Sequence, residues 1–322
     1  METSINRTGW RSAVMALFLC SAASAQAAVF VSVGSDPAAI QGTVDAFRGA
    51  LGPNNGVGGS FASGRREINW DGVPDAFAAP NLLPANFFNT NSPRGAVFST
   101  PGTGFQVSAN AGVGPIEFDN INPLFSTQFQ PFSPQRLFTA LGSNVVAIDF
   151  FVPGTNTPAT VSGFGAVFTD VELASTTMFT VFLGDGTNGG QFAVPIGPDG
   201  GLSFLGLTDP NRYSRIVIQA GTAVLGSADN LTGELDAVVM DDFIYGEPQA
   251  RRASVPEPGT LALLSLGLAG LAASQAELTQ RQQVATPPTW PGIACELRFR
   301  RVLADPAPSR PPGAFISRWE GT

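Results

Sequence analysis

The chain has 322 residues, 43% of them hydrophobic, with 37 Gly, 26 Pro and a formal net charge of −8, a balance that describes a turn-rich globular protein rather than a disordered one. It contains no His, and all 17 basic residues are Arg, which excludes Ser-His-Asp and Cys-His nucleophiles, His-ligated zinc and Lys Schiff bases. Residues 29–247 carry 7 Arg against 19 Asp and Glu, a net −12; such a surface repels nucleic acid and anionic lipid, and serves solubility.

In chain order, residues 1–27 read as a secretory signal peptide. Arg7 and Arg11 supply its positive start, Ser12 to Ala23 its apolar stretch, and Ala25-Gln26-Ala27 a small-x-small cleavage site. A leader of this kind hands the chain to the Sec export machinery, and the two Cys, Cys20 in the leader and Cys295 near the other end, provide no disulfide framework for the exported product.

The domain that follows is expected to span residues 28–247. Val29 to Val33 reads as a strand, and a helix comes next. Asp36 can cap it, Pro37 suits its first position, and Ile40, Val44, Phe47 and Leu51 fall on one face before Gly49 or Gly52 ends it. Pro53 to Gly64 is rich in turn formers. Arg65 to Gly72 is a short strand running into a turn, and Phe77 to Asn91 is broken by Pro80 and Pro84.

From Gly95 to Gly246 strands are predicted one after another: 96–99, 105–109, 116–118, 137–141, 145–151, 161–170, 178–183, 191–194, 202–205, 213–219 and 237–245. Gly, Pro, Asn and Asp clusters separate them. No helical pattern recurs between them, so a parallel α/β fold is disfavoured. The expected fold is mainly all-β: a jelly-roll-like β-sandwich with one N-terminal helix in the mature domain, plus a short C-terminal hydrophobic helix. Phe164 with Phe168, and Phe179 with Phe182 on opposite faces, supply bulk for the core, and Trp70 reads as a core residue.

Residues 248–254 form a short polar linker. Val255-Pro256-Glu257-Pro258-Gly259-Thr260 follows, with the apolar run Leu261 to Ala273 behind it. This stretch, 255–274, resembles the C-terminal sorting signal of the PEP-CTERM family of exported bacterial proteins. The resemblance implies recognition and processing by a membrane-embedded exosortase, in a Gram-negative bacterium that makes exopolysaccharide and forms biofilm. Pro256 and Pro258 hold the backbone extended and remove two donors, which suits a motif read as an exposed strand. The apolar run would be about 20 Å long as a helix, against about 30 Å for a hydrocarbon core, so it fits transient inner-membrane association. The family pattern places an Arg cluster directly after the run. Here Ser274-Gln275-Ala276-Glu277 stands instead, and residues 275–322 read as a disordered tail whose Arg- and Pro-rich composition is that of a GC-rich gene translated out of frame.

Three segments of the domain, Arg65 to Gly72, Phe151 to Asp170 and Val239 to Gly246, are similar to stretches of uncharacterised exported bacterial proteins. That resemblance carries no activity. Among candidate ligands, Asp241 and Asp242 could hold Ca²⁺ with Asp149, or with Asp185 of the loop Asp185-Gly186-Thr187-Asn188-Gly189-Gly190. Against this, consecutive Asp residues of a regular strand face opposite ways, and Asp-Gly-Thr-Asn-Gly makes a hairpin turn. Glu67, Asp71, Glu117, Glu172 and Glu234 could supply a glycosidase pair, but no spacing singles one out. The sequence therefore predicts a non-enzymatic surface or extracellular-matrix protein, with no required cofactor. The alternative is a lectin-like carbohydrate-binding module, with or without Ca²⁺.

Overall fold

The computed structural model describes residues 27–110, 116–226, 235–251 and 266–270. The chain divides into two units, Met1–Ala253 and Ser254–Thr322. In the second, residues 266–270 are helical and exposed, matching the short C-terminal helix. Among the described residues no helix is long and apolar enough to cross a membrane. Ala25, the motif Val255-Pro256-Glu257-Pro258-Gly259-Thr260 and the tail 275–322 lie outside the described residues.

The first unit opens with β1 (Ala28–Gly34), α1 (Pro37–Leu51) and β2 (Arg65–Ile68). The single turns α2 (Phe87–Thr90) and α3 (Phe125–Gln128) lie to either side of β3 (Ala96–Ser99) and β4 (Gly104–Val107). Then come β5 (Phe138–Leu141), β6 (Val145–Phe150), β7 (Ala159–Thr169), β8 (Met178–Leu183) and β9 (Asn188–Ala193). β10 (Leu202–Gln219), β11 (Val239–Gly246) and β12 (Gln249–Ala250) complete it. Helix α1 forms as its sequence predicts. The Asp36 side chain accepts from Ala39 N, Pro37 opens the first turn, Ile40, Val44, Phe47 and Leu51 are buried, and Gly52 closes the helix at φ 96°.

The strands build the expected all-β sandwich, and β10 joins its two layers. Residues 202–208 of β10 pair with β1 on one side and β7 on the other, and β7 continues to β11 and β2. Residues 215–219 of β10 pair with β6 and β8, which continue to β3 and β9. The sequence predicts two strands here, 202–205 and 213–219, because Asp209-Pro210-Asn211 is a turn signal. The turn chemistry is present: Asp209 accepts from Asn211 N, and Arg212 has φ 58°. It bends one strand from layer to layer instead of reversing the chain. A second difference lies at 116–118. Ile116 makes only an isolated bridge to Ala109, and Glu117 and Phe118 take left-handed backbone at φ 45° and 69°, which ends any strand there.

Alternation along β7, β10 and β11 sorts most of their side chains between two of three hydrophobic clusters. Phe164, Phe168, Leu205, Leu207, Phe243 and Tyr245 face the second layer and meet Ile148, Phe179, Ile216 and Ile218 in the main core. The alternate residues Val167, Leu202, Phe204 and Ile244 face outward, where α1 covers them with Ile40, Val44, Phe47 and Leu51. Burying each of these large side chains contributes about 1.5–3 kcal/mol. Phe47 fits because Gly165 and Gly206, paired across β7 and β10, leave room beneath it. A Cβ added at either would come within 2.7 or 2.8 Å of its ring.

Candidate functional site: a polar cleft over a bulged carboxylate pair

Two of the segments singled out in sequence become neighbours. β2 and β11 pair with Ile68 opposite Phe243, which sets Asn69-Trp70-Asp71-Gly72 beside Asp241-Asp242. Trp70 sits at φ 64°. Its ring is buried, stacked on Phe138 at 4.1 Å, with Phe88, Phe98 and Phe243 around it. That ring anchors the turn carrying Asn69 and Asp71.

In β11 the register with β7 shifts between Met240 and Phe243. Both of those residues belong to the main core, so the two aspartates between them are directed out of it together. The strand alternation expected from sequence, which allows only one of the pair into a site, is overturned by this β-bulge. Asp241 is fully buried and accepts backbone N–H groups from Phe132 at 2.6 Å, Ser133 at 3.0 Å and Asp242 at 2.8 Å. Ser133 Oγ donates to Asp242 Oδ1 at 2.8 Å. Arg48, from α1, donates to Asp242 at 2.9 Å and to Glu67 at 3.0 Å, and also meets Asp45.

Burial and the mutual charge of the pair raise the proton affinity of Asp241. Burial does the same for Asp242, with Arg48 and Ser133 pulling the other way. Asp71 is pushed up to about 6, first by burial and then by Asp242, while accepting Arg136 N at 3.1 Å. Burial opposes the charge on Arg48, but Glu67 and Asp242 more than offset it.

Above this network lies a cleft of about 390 Å³ lined by Gln41, Arg48, Glu67, Asn69, Arg94 and Asp242 among others. Its walls are amides, carboxylates and guanidinium groups, which suit a ligand bearing hydroxyls and charge. A larger, open cleft of about 620 Å³ lies by the bend of β10 and β12, lined by Asp185, Asn211, Arg212 and Gln249 among others.

Of the four aspartates considered for Ca²⁺, only Asp241 and Asp242 come together. Asp149 is held by both oxygens on Arg215, at 3.0 and 2.7 Å. Asp185 takes the Thr187 hydroxyl and amide in an exposed turn, and those bonds lower its proton affinity. Asp241 spends its oxygens on amides. A different acidic group forms around Glu172, one of the acid–base candidates: one oxygen each of Asp170, Glu172 and Asp199 lie within 4.8 Å of one another. Asp170 is buried and accepts from Gln128 and Gly200 N, while Asp199 is exposed. The only sequence signal was the Asp170-x-Glu172 spacing; Asp199 arrives through the β9–β10 connection. Glu67 and Asp71, named as acid–base candidates, both belong to the network around the polar cleft. Glu117 is buried elsewhere, and Glu234 lies outside the described residues. At the start of the domain Ala27 is exposed, and β1 begins at Ala28, the residue after the expected cleavage point.

Compared with known proteins, residues 254–275 match the PEP-CTERM protein-sorting motif. No curated protein matches the chain. A solved mutant of a family 29 carbohydrate-binding module is similar over 51% of this chain and 99% of its own, at 10% identity and a TM-score of 0.22; a likeness of that size carries no argument about ligand or function.

Proposed function

Starting from a chain that carries a PEP-CTERM sorting motif behind a β-rich domain, we propose that the protein is a non-enzymatic surface or extracellular-matrix component of a Gram-negative bacterium. In this reading the Sec machinery exports it, residues 261–273 hold it transiently at the inner membrane, and an exosortase processes it at Pro256-Glu257-Pro258. It is then released to a setting of exopolysaccharide and biofilm. The motif match carries the reading. Fractionating cells that express the chain with Pro256, Glu257 and Pro258 all replaced by Ala tests it. The variant is expected to accumulate in the inner membrane, whereas the parent reaches the cell surface or medium. Equal distribution of the two would remove the motif from the account.

A non-catalytic role is supported by the commitments of the carboxylates. Asp241 is spent on backbone amides, Glu67 and Asp242 share Arg48, and Asp71 accepts from Arg136 N and the Asn69 amide, so none is presented as a free acid facing a free base across the cleft. The alternative, a lectin-like saccharide-binding module, is favoured by one observation: the cleft of about 390 Å³ has amide and carboxylate walls suited to sugar hydroxyls.

A further inference from the structure

The polar cleft is electrostatically lopsided. On one side Glu67 and Asp242 share Arg48, which also meets Asp45, and Glu67 is further paired with Arg65. Arg94 lines the same cleft and has no such balance. Its Nη1 donates to Ser92, and its guanidinium lies 5.4 Å from the Phe88 ring centroid. Among the described residues no carboxylate pairs with it, and no hydrogen bond takes its Nε or Nη2. It is only partly exposed. Burial disfavours its charge, the Tyr245 hydroxyl relieves this in part, and Arg66 adds to the repulsion. A half-buried cation without a counter-charge is costly unless something supplies one.

Carboxylates and phosphates both match a guanidinium fork with two oxygens. The rest of the cleft narrows the choice. A phosphate or sulfate ester would bring its further oxygens toward Glu67 and Asp242, whereas hydroxyls could donate to those carboxylates and bond the amides of Gln41, Asn54 and Asn69. A volume of about 390 Å³ falls within the range of small-ligand sites, about 300–1,000 Å³. We propose that this cleft binds a uronate residue, a sugar acid with one carboxylate per residue, with its carboxylate on Arg94 and its hydroxyls on the walls formed by Glu67, Asn69 and Asp242. The inference deepens the saccharide-binding reading and rests on it.

Titration calorimetry on the full-length chain with trigalacturonate and with maltotriose, a neutral trisaccharide, separates the two. The uronate is expected to bind at least tenfold more tightly than maltotriose. Its affinity should fall at least tenfold in Arg94→Met and less in Arg94→Lys. Equal affinity for both saccharides, or preference for maltotriose, would overturn the inference while leaving the saccharide reading standing; binding of neither would overturn both. Uronate binding that is unchanged in Arg94→Met would also overturn it. The comparison of the two ligands on the unsubstituted chain stands even if that variant fails to fold.

Discussion

Arg66 and Glu247 form the most deeply buried ion pair among the described residues, with side chains 0% and 1% exposed. Arg66 donates to both Glu247 oxygens, at 2.6 and 2.7 Å, and to the carbonyls of Gly56, Gly58 and Gly59. It thereby pins the loop between α1 and β2 against the end of β11. Removing one partner of such a pair strands the other, at a cost of about 3–5 kcal/mol. Arg66→Met is expected to lose about that much in urea unfolding, and the double variant Arg66→Met, Glu247→Leu to recover a large part of it. A loss under about 1 kcal/mol in the single variant would contradict this. Glu117 is the other buried group with a consequence. It is 7% exposed, Oε2 has no hydrogen-bond partner among the described residues, and burial, then Asp119, push it from 4.5 up to about 7. The native state holds this proton more tightly than the unfolded state. Its stabilising contribution is therefore complete below about pH 4.5 and is lost as pH rises through about 7. Asp71 acts in the same direction up to about 6. Urea midpoints should therefore fall with pH across this range, and fall less in Glu117→Gln; an unchanged slope in the variant would dismiss the assignment.

Elements differ in how far their sequences disclose them. Helix α1 was legible because a cap, a proline and a four-three-four apolar spacing are all local signals. Phe164, Phe168, Phe179 and Trp70 are core by size and pattern, whereas Phe182, expected to supply core bulk with them, is only half-buried on β8. The β11 bulge was not legible: period-two alternation is the only local rule a strand offers, and the slip between Met240 and Phe243 is set by partners in β7 and β2 far away in sequence. For the same reason the sequence shows the cleft only as scattered acids, since Arg48, Glu67, Arg94, Ser133 and Asp242 are joined only by the pairing of elements. The continuity of β10 was hidden by Pro210, a turn former used here as a bend. Packing of α1 on its sheet depends on the glycine pair under Phe47. Gly165→Ala forces the Phe47 ring to move, and is expected to cost about 1–3 kcal/mol. A thermal midpoint equal to that of the parent chain would show that the ring shifts freely.

For the whole molecule, two layers joined through one long strand and covered by one helix give a rigid frame that needs no disulfide, since the first unit as far as Ala253 contains only Cys20. The acidic balance of residues 29–247 fits the exported state proposed for this domain. Its destination is written at the other end, in residues 254–275. The most direct measurement is mass spectrometry of the C-terminus of the protein recovered from its native host, with and without the exosortase. The account predicts that with the enzyme the surface or secreted form ends within residues 255–260 and yields no peptide from 261–322. Without it the chain should retain those residues and remain with the membrane. Recovery of the same chain, extending beyond residue 273, outside both strains would contradict the account.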